Sequence, residues 1–369
     1  MTKKISPLRI NLFYTHNLGT IIFLDSRKEV AMTSLKKTCL LVWILSGIMS
    51  ISPLWALTID LVPDANLSGN QAALNAFRRA AAQWERWLSD PITVTINVGM
   101  QNLGSSTIIG QAGSTTLQSS YDNLAYAVYA DSLDEPDDGI VAYLPNASAV
   151  SFNLPTGYTF TGNLTATKAN LKALGYTGLD QMFGVADGTI TFNTQFGFDY
   201  DNSDGVSGMD FESVASHEIG HILGFTSVVD TIDYYVNQGM SGAVNVNVLD
   251  LFRFNANNAP ITATDFTIKP RELRPGQAAV FSDVINQYAM STGAYTGDGR
   301  QASHWKDDLQ LGYYVGIMDP TMNYNQITNI TAADIRAMDL IGYEFVPEAS
   351  SYLLLLLGIL TLRFLRKRS

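Results

Sequence analysis

Apolar and polar positions along this chain alternate with two different periods. Residues 57–62 (Leu-Thr-Ile-Asp-Leu-Val) repeat every second position, which predicts a half-buried strand. Over 70–89 the repeat lengthens to that of a helix. Ala72, Ala73, Phe77, Ala80, Ala81, Trp84 and Leu88 share its apolar side, and Pro91 ends it. Residues 92–98 return to strand alternation, further strands are expected at 139–143 and 188–196, and a short helix over 164–174. Another helix starts after Asp210, a suitable N-cap. It buries Phe211, Val214, Ala215, Ile219, Ile222 and Leu223 and stops at Gly224. The last helix has Thr331 as cap, Asp334 three residues on, and an end near Gly342. No repeat or low-complexity linker appears before Val346. The stretch 57–345 is long for one core, so two lobes around a cleft are expected.

The helix after Asp210 carries the chemistry. Ser216-His217-Glu218-Ile219-Gly220-His221 contains His-Glu-x-x-His, which at helical spacing puts His217 and His221 one turn apart on one face. Two imidazoles placed so can reach one zinc ion, and Glu218 beside them can act as a base on water. The chain has four histidines in all: His16, His217, His221 and His304.

Both ends look like address signals. From Met32 the chain has Lys36 and Lys37, an apolar run from Cys39 to Met49, then Leu54-Trp55-Ala56, the layout of a secretory signal peptide cleaved after Ala56. Residues 1–56 are therefore set aside, with Met32 a candidate for the true start, and His16 leaves with them. The only cysteine, Cys39, lies in the same leader, so the mature chain is expected to have no disulfide, thiol nucleophile or thiolate ligand. At the other end Val346-Pro347-Glu348-Ala349-Ser350-Ser351 precedes an apolar run from Tyr352 to Leu362 and a basic tail of Arg363, Arg366, Lys367 and Arg368. That segment, 346–369, resembles the PEP-CTERM sorting signal of Gram-negative bacteria, with Ala349 where a second proline belongs. The resemblance implies an exosortase-like processing enzyme as partner and only transient membrane contact through 352–365. It also implies an exported protein at the cell surface or in the extracellular matrix, with release as one outcome.

Setting both ends aside changes the charge. Between 57 and 345 there remain 12 basic and 31 acidic residues, a formal net charge of −19 against −11 for the whole chain. So acidic a body excludes nucleic acid as a ready partner. Calcium is a secondary expectation, since Asp199-Tyr200-Asp201-Asn202-Ser203-Asp204-Gly205 is rich in carboxylates. Its spacing departs from an EF-hand loop, where glycine would replace Asp204, and a solvated turn is the favoured reading.

An open catalytic zinc site needs a third protein ligand. Asp230 and Asp233 are nearby candidates, and His304 is the distant one. The chain is similar to metzincin zinc peptidases, whose motif extends to HExxHxxGxxH. Gly224 fits that extension, but Ser227 stands where the last histidine belongs. The order zinc helix, insertion, Ser303-His304-Trp305, then Ile317-Met318-Asp319-Pro320 resembles leishmanolysin-type peptidases, in which a large insertion precedes the third histidine. Here 83 residues separate His221 from His304. The resemblance covers roughly 185–345 and implies His217, His221 and His304 as ligands of one Zn2+, Glu218 as the catalytic base and Met318 as the Met-turn beneath the metal. Met322-Asn323-Tyr324 offers a second Met-turn reading, with the tyrosine at zinc. The implied fold is α+β: a twisted mixed sheet with the active-site helix in an upper lobe, and a mostly irregular and helical lower lobe with the Met-turn. Residues 188–196 would then be the sheet edge that binds substrate. The implied function is zinc-dependent hydrolysis of peptide bonds in protein or peptide substrates. A catalytically silent zinc-binding surface or matrix protein is the alternative; a deformylase-type site would need a cysteine ligand.

Overall fold

The computed structural model of the protein describes residues 56–345. Residues 1–55 of the expected 1–56 leader and the expected sorting segment at 346–369 lie outside the described residues. Among the described residues no helix is long and apolar enough to cross a membrane.

The architecture is mixed α and β. Its main sheet contains β1 (Thr58–Pro63), β2 (Thr93–Gln101), β3 (Gly110–Ser114) and β4 (Gly188–Asn193). The strands lie in the order β1-β2-β4-β3, the first three parallel and β3 antiparallel to β4. Parallel neighbours need a crossover, and α1 (Gln71–Trp87) supplies the one between β1 and β2. Its register follows the apolar stripe: Ala73, Phe77, Ala80, Ala81 and Trp84 are buried, and Asn70 caps its start by accepting from Ala73 N at 3.1 Å. The zinc-motif helix α2 (Phe211–Leu223) packs against both α1 and β3. Phe77, Phe192 and Phe211 pack at this junction, with ring centroids 5.5 Å apart for Phe77–Phe192 and 4.2 Å for Phe192–Phe211. That aromatic cluster fixes α2 over the sheet. Two further sheets, of three and five strands, hold much of the chain between 116 and 290. Helix α3 (Ala332–Leu340) is the last among the described residues.

Three sequence expectations need correction. The strand expected at 188–196 ends at Asn193 and is interior, bonded to β2 on one side and β3 on the other. The outer strand is β3, whose Gly-Gln-Ala-Gly-Ser has no apolar alternation to announce it. Residues 139–143 form no strand. They contain the tight turn Val141–Tyr143, closed by Leu144 N donating to Val141 O at 3.0 Å. The helix expected over 164–174 is split. Tyr158–Thr167 is a strand, paired on both sides, and only Lys168–Ala173 is helical, capped by Thr167 Oγ1 accepting from Asn170 N at 3.1 Å.

Candidate metal centre

Helix α2 is clamped before it contributes any chemistry. Asp210 caps it by accepting from Ser213 N at 3.0 Å. Glu212 ties it to α1 through Arg79 at 2.8 Å and Gln83 at 2.6 Å, and Trp84 Nε1 donates to the Ser216 carbonyl at 2.8 Å. Gly220 sits where Met318 and Trp84 press on the helix, and Gly224, at φ 136°, turns the chain away after the last helical residue.

Three imidazoles converge at this face. The Nε2 atoms of His217, His221 and His304 lie 3.2 Å from one another in all three pairs. Each ring has a backbone carbonyl at its other nitrogen. His217 Nδ1 donates to Ile317 O at 2.7 Å, His221 Nδ1 to Phe225 O at 2.8 Å and His304 Nδ1 to Gln301 O at 3.1 Å. A proton held at each Nδ1 leaves each Nε2 as a bare lone pair. Burial, followed by the neighbouring His221, pushes His217 down to about 3. Burial also pushes His221 down to about 4 and, helped by both other histidines, His304 well below the usual range. All three are therefore neutral in ordinary buffers. Neutral imidazoles with lone pairs aimed at one point repel one another unless a cation accepts them. A tetrahedral zinc ion with bonds of about 2.0–2.1 Å spaces its ligands about 3.3–3.4 Å apart, so the donor set fits zinc in type, number and spacing.

The carboxylate candidates for third ligand are used elsewhere. Asp230 accepts from Ala302 N and Ser303 N, bracing the loop that carries His304. Asp233 accepts from Tyr295 N at 2.7 Å and Thr296 N at 2.8 Å. Ser227 donates from Oγ to Asp250 at 2.6 Å and from N to Ser303 Oγ at 2.8 Å, joining the exit of α2 to the same loop. Asp199 and Asp201 also spend their oxygens on their own loop: Asp199 accepts from Ser207 N and Asp201 N, and Asp201 from Ser203 N.

Met318 is fully buried under Gly220. Its carbonyl accepts from Trp305 N at 2.9 Å, the residue after His304. Asp334, on α3, is the pin of this floor. Its carboxylate accepts from Ile317 N at 2.8 Å, Met318 N at 3.2 Å, Trp305 Nε1 at 2.8 Å and Thr331 N at 2.8 Å. Tyr324, the tyrosine of the second Met-turn reading, is 55% exposed and outside the cleft lining, whereas Met322 lines it.

The imidazoles open onto a cleft of about 810 Å³, walled by β3 on one side and by residues 319–322 and Thr328 on another. Glu218 lines it, nearly buried, and burial pushes its carboxyl up to about 8. Position 110 is glycine where β3 crosses this carboxylate: a Cβ there would stand 3.2 Å from Glu218 Oε1. Sequence reasoning missed Gly110, Asp230 as a brace and Asp334 as a pin. Asp334 was visible only as part of a helix cap, and nothing local marks the other two. No family model, curated protein or solved structure matches the chain, so the family resemblance rests on its residues alone.

Proposed function

We propose that the protein is a zinc-dependent endopeptidase with a metzincin-like fold. The observation that carries this reading is the triangle of three bare Nε2 atoms at 3.2 Å, opening onto a cleft beside a buried glutamate. His217, His221 and His304 would hold the ion. When bound there, zinc supplies Lewis acidity, which polarises a substrate carbonyl and acidifies a water.

The remaining work belongs to the chain. Glu218 takes a proton from the attacking water on its carboxylate and delivers it to the departing amine nitrogen, so no covalent acyl intermediate is required. Burial alone favours its protonated form, and a dication held by the adjacent imidazoles favours the charged one. The two influences oppose each other, which suits a group that must both accept and release a proton. The outer edge of β3 has no strand partner among the described residues, and Gly110 and Ala112 face the cleft, so an extended peptide can add there as a further strand. The silent zinc-binding alternative fits less well, because a structural site closes its fourth position whereas this triangle faces open space.

The test is zinc stoichiometry together with casein cleavage on the purified protein and its Glu218→Gln variant. One zinc per chain in both, with cleavage lost by a factor of about a hundred or more in the variant, is the expected result. Loss of zinc from the variant, or undiminished cleavage, removes Glu218 from its role.

A further inference from the structure

The cleft has one basic side chain. Among its lining residues Arg300 is the only lysine or arginine, in a body whose formal net charge between 57 and 345 is −19. The cleft's other carboxylates are occupied: Asp230 by Ala302 N and Ser303 N, Asp319 by Asp308 N at 2.9 Å and Thr321 N at 3.0 Å. Glu218 belongs to the proposed reaction. No carboxylate of the cleft lining pairs with Arg300, whose ion pair is with Asp307.

Arg300 is held at one corner only. Its Nε donates to Asp307 Oδ2 at 2.7 Å, and Asp307 is buried, its other oxygen accepting from Leu309 N at 2.9 Å and Thr321 Oγ1 at 3.2 Å. Nη1 and Nη2 meet no acceptor among the described residues, and the side chain keeps 37% of its surface open. A guanidinium anchored at Nε has already lost much of its rotamer freedom, while its planar Nη donors stay available. Such a fork matches a second carboxylate. A residue serving only to neutralise Asp307 would not also need to line the cleft four positions before His304.

We propose that Arg300 sets substrate preference by receiving a carboxylate of the bound peptide, either an acidic side chain or a free C-terminal carboxylate. This deepens the peptidase reading, on which its meaning for cleavage rests; its meaning for binding stands apart from it. Screening confines the attraction to within about 8 Å at physiological salt, so the preference belongs to one subsite and not to acidic peptides at large.

Two measurements on the full chain test it. In the first, zinc-loaded Glu218→Gln protein binds labelled peptides that differ by Glu for Gln at single positions, or by a C-terminal acid for an amide, with anisotropy as readout. In the second, wild-type protein digests a peptide library and the cut sites are read by mass spectrometry. A carboxylate at one position should tighten binding by about tenfold or more and be enriched at the same place around the cut. The position of that gain tells a side chain from a C-terminus. Arg300→Gln should abolish it, Arg300→Lys retain part of it and Arg300→Glu transfer it to lysine. A preference that survives Arg300→Gln overturns the proposal, as does its absence in the parent protein. So does an equal weakening toward all peptides in every Arg300 variant, including the lysine one, which would mean that the pair with Asp307 is purely structural. An acid preference in binding without any cleavage would sink the peptidase reading and leave this inference standing.

Discussion

The side chain of Met318 fills the space that any side chain at Gly220 would need. A Cβ at position 220 would overlap the methionine sulfur, and would stand 3.2 Å from its Cε and 3.3 Å from Trp84 Cζ2. The glycine inside the zinc motif is thus a packing requirement set by a residue almost a hundred positions later.

Gly220→Ala should therefore destabilise the protein despite alanine's better helix propensity. That propensity is worth about 1 kcal/mol, whereas overpacking a closed core costs about 1–3 kcal/mol. Met318 is fully buried and Trp84 stands beside it, so there is little room to yield. Denaturant unfolding of the single variants and of Gly220→Ala/Met318→Ala should show the double variant less damaged than the two singles added together. Strict additivity would mean that the two residues do not share this space.

For the metal, the three variants His304→Ala, Asp230→Ala and Asp233→Ala should rank in that order of zinc affinity lost. His304 supplies one of three donors, and two imidazoles hold a divalent ion weakly. Asp230 is not one of the three converging imidazoles, but it holds the N–H groups of Ala302 and Ser303, so its loss lets His304 drift, at an expected cost of about 10–100-fold in affinity. Asp233 braces Tyr295 and Thr296, further along the chain from His304. Competition with a chromophoric chelator gives the three constants. Equal affinities in all of them would remove His304 from the site.

Asp90 gives the fold a pH dependence opposite in sign to that of most carboxylates. Burial, with the nearby Asp131 and Glu344 carboxylates adding to it, raises it from 3.8 to about 8. Between those values the folded chain keeps the proton that the unfolded chain releases. Its contribution to stability is fully present below about 4 and fades as pH rises through about 8. Thermal unfolding of Asp90→Asn, which keeps an acceptor for Glu344 N, should lose less stability between pH 5 and 8 than the parent does. Parallel curves for the two proteins would place the titration elsewhere.

What could be read from the chain follows the range of the forces involved. Helix α2 was legible because its cap, stripe and stop are local: Asp210, Ile219 and Gly224 lie within one segment. His217, Glu218 and His221 came with it. His304 was reachable only by elimination among four histidines and by motif order, since no local pattern places it near α2. The edge of the sheet was not legible at all. Gly110 and Ala112 become a strand through pairing with β4, an interaction across about 80 residues that leaves no periodic trace in the chain. At 158–167 the same cause acts in reverse: Tyr158–Thr167 is a strand because it has neighbours on both sides.

The carboxylate of Asp334 has a consequence in time. Chains emerge from the ribosome N-terminus first, so His217 and His221 are made long before Asp334. Until Asp334 arrives, the N–H groups of Ile317 and Met318 and the indole of Trp305 lack their common acceptor. The Ile317 carbonyl that orients His217, and the neighbour of His304, are then both unmoored. A chain ended at Thr331 should accordingly bind zinc no better than the His304→Ala protein, and tight binding by that truncation would contradict the idea. A half-made molecule thus carries the whole motif without the bonds that set it, and the last helix among the described residues is the one that completes them.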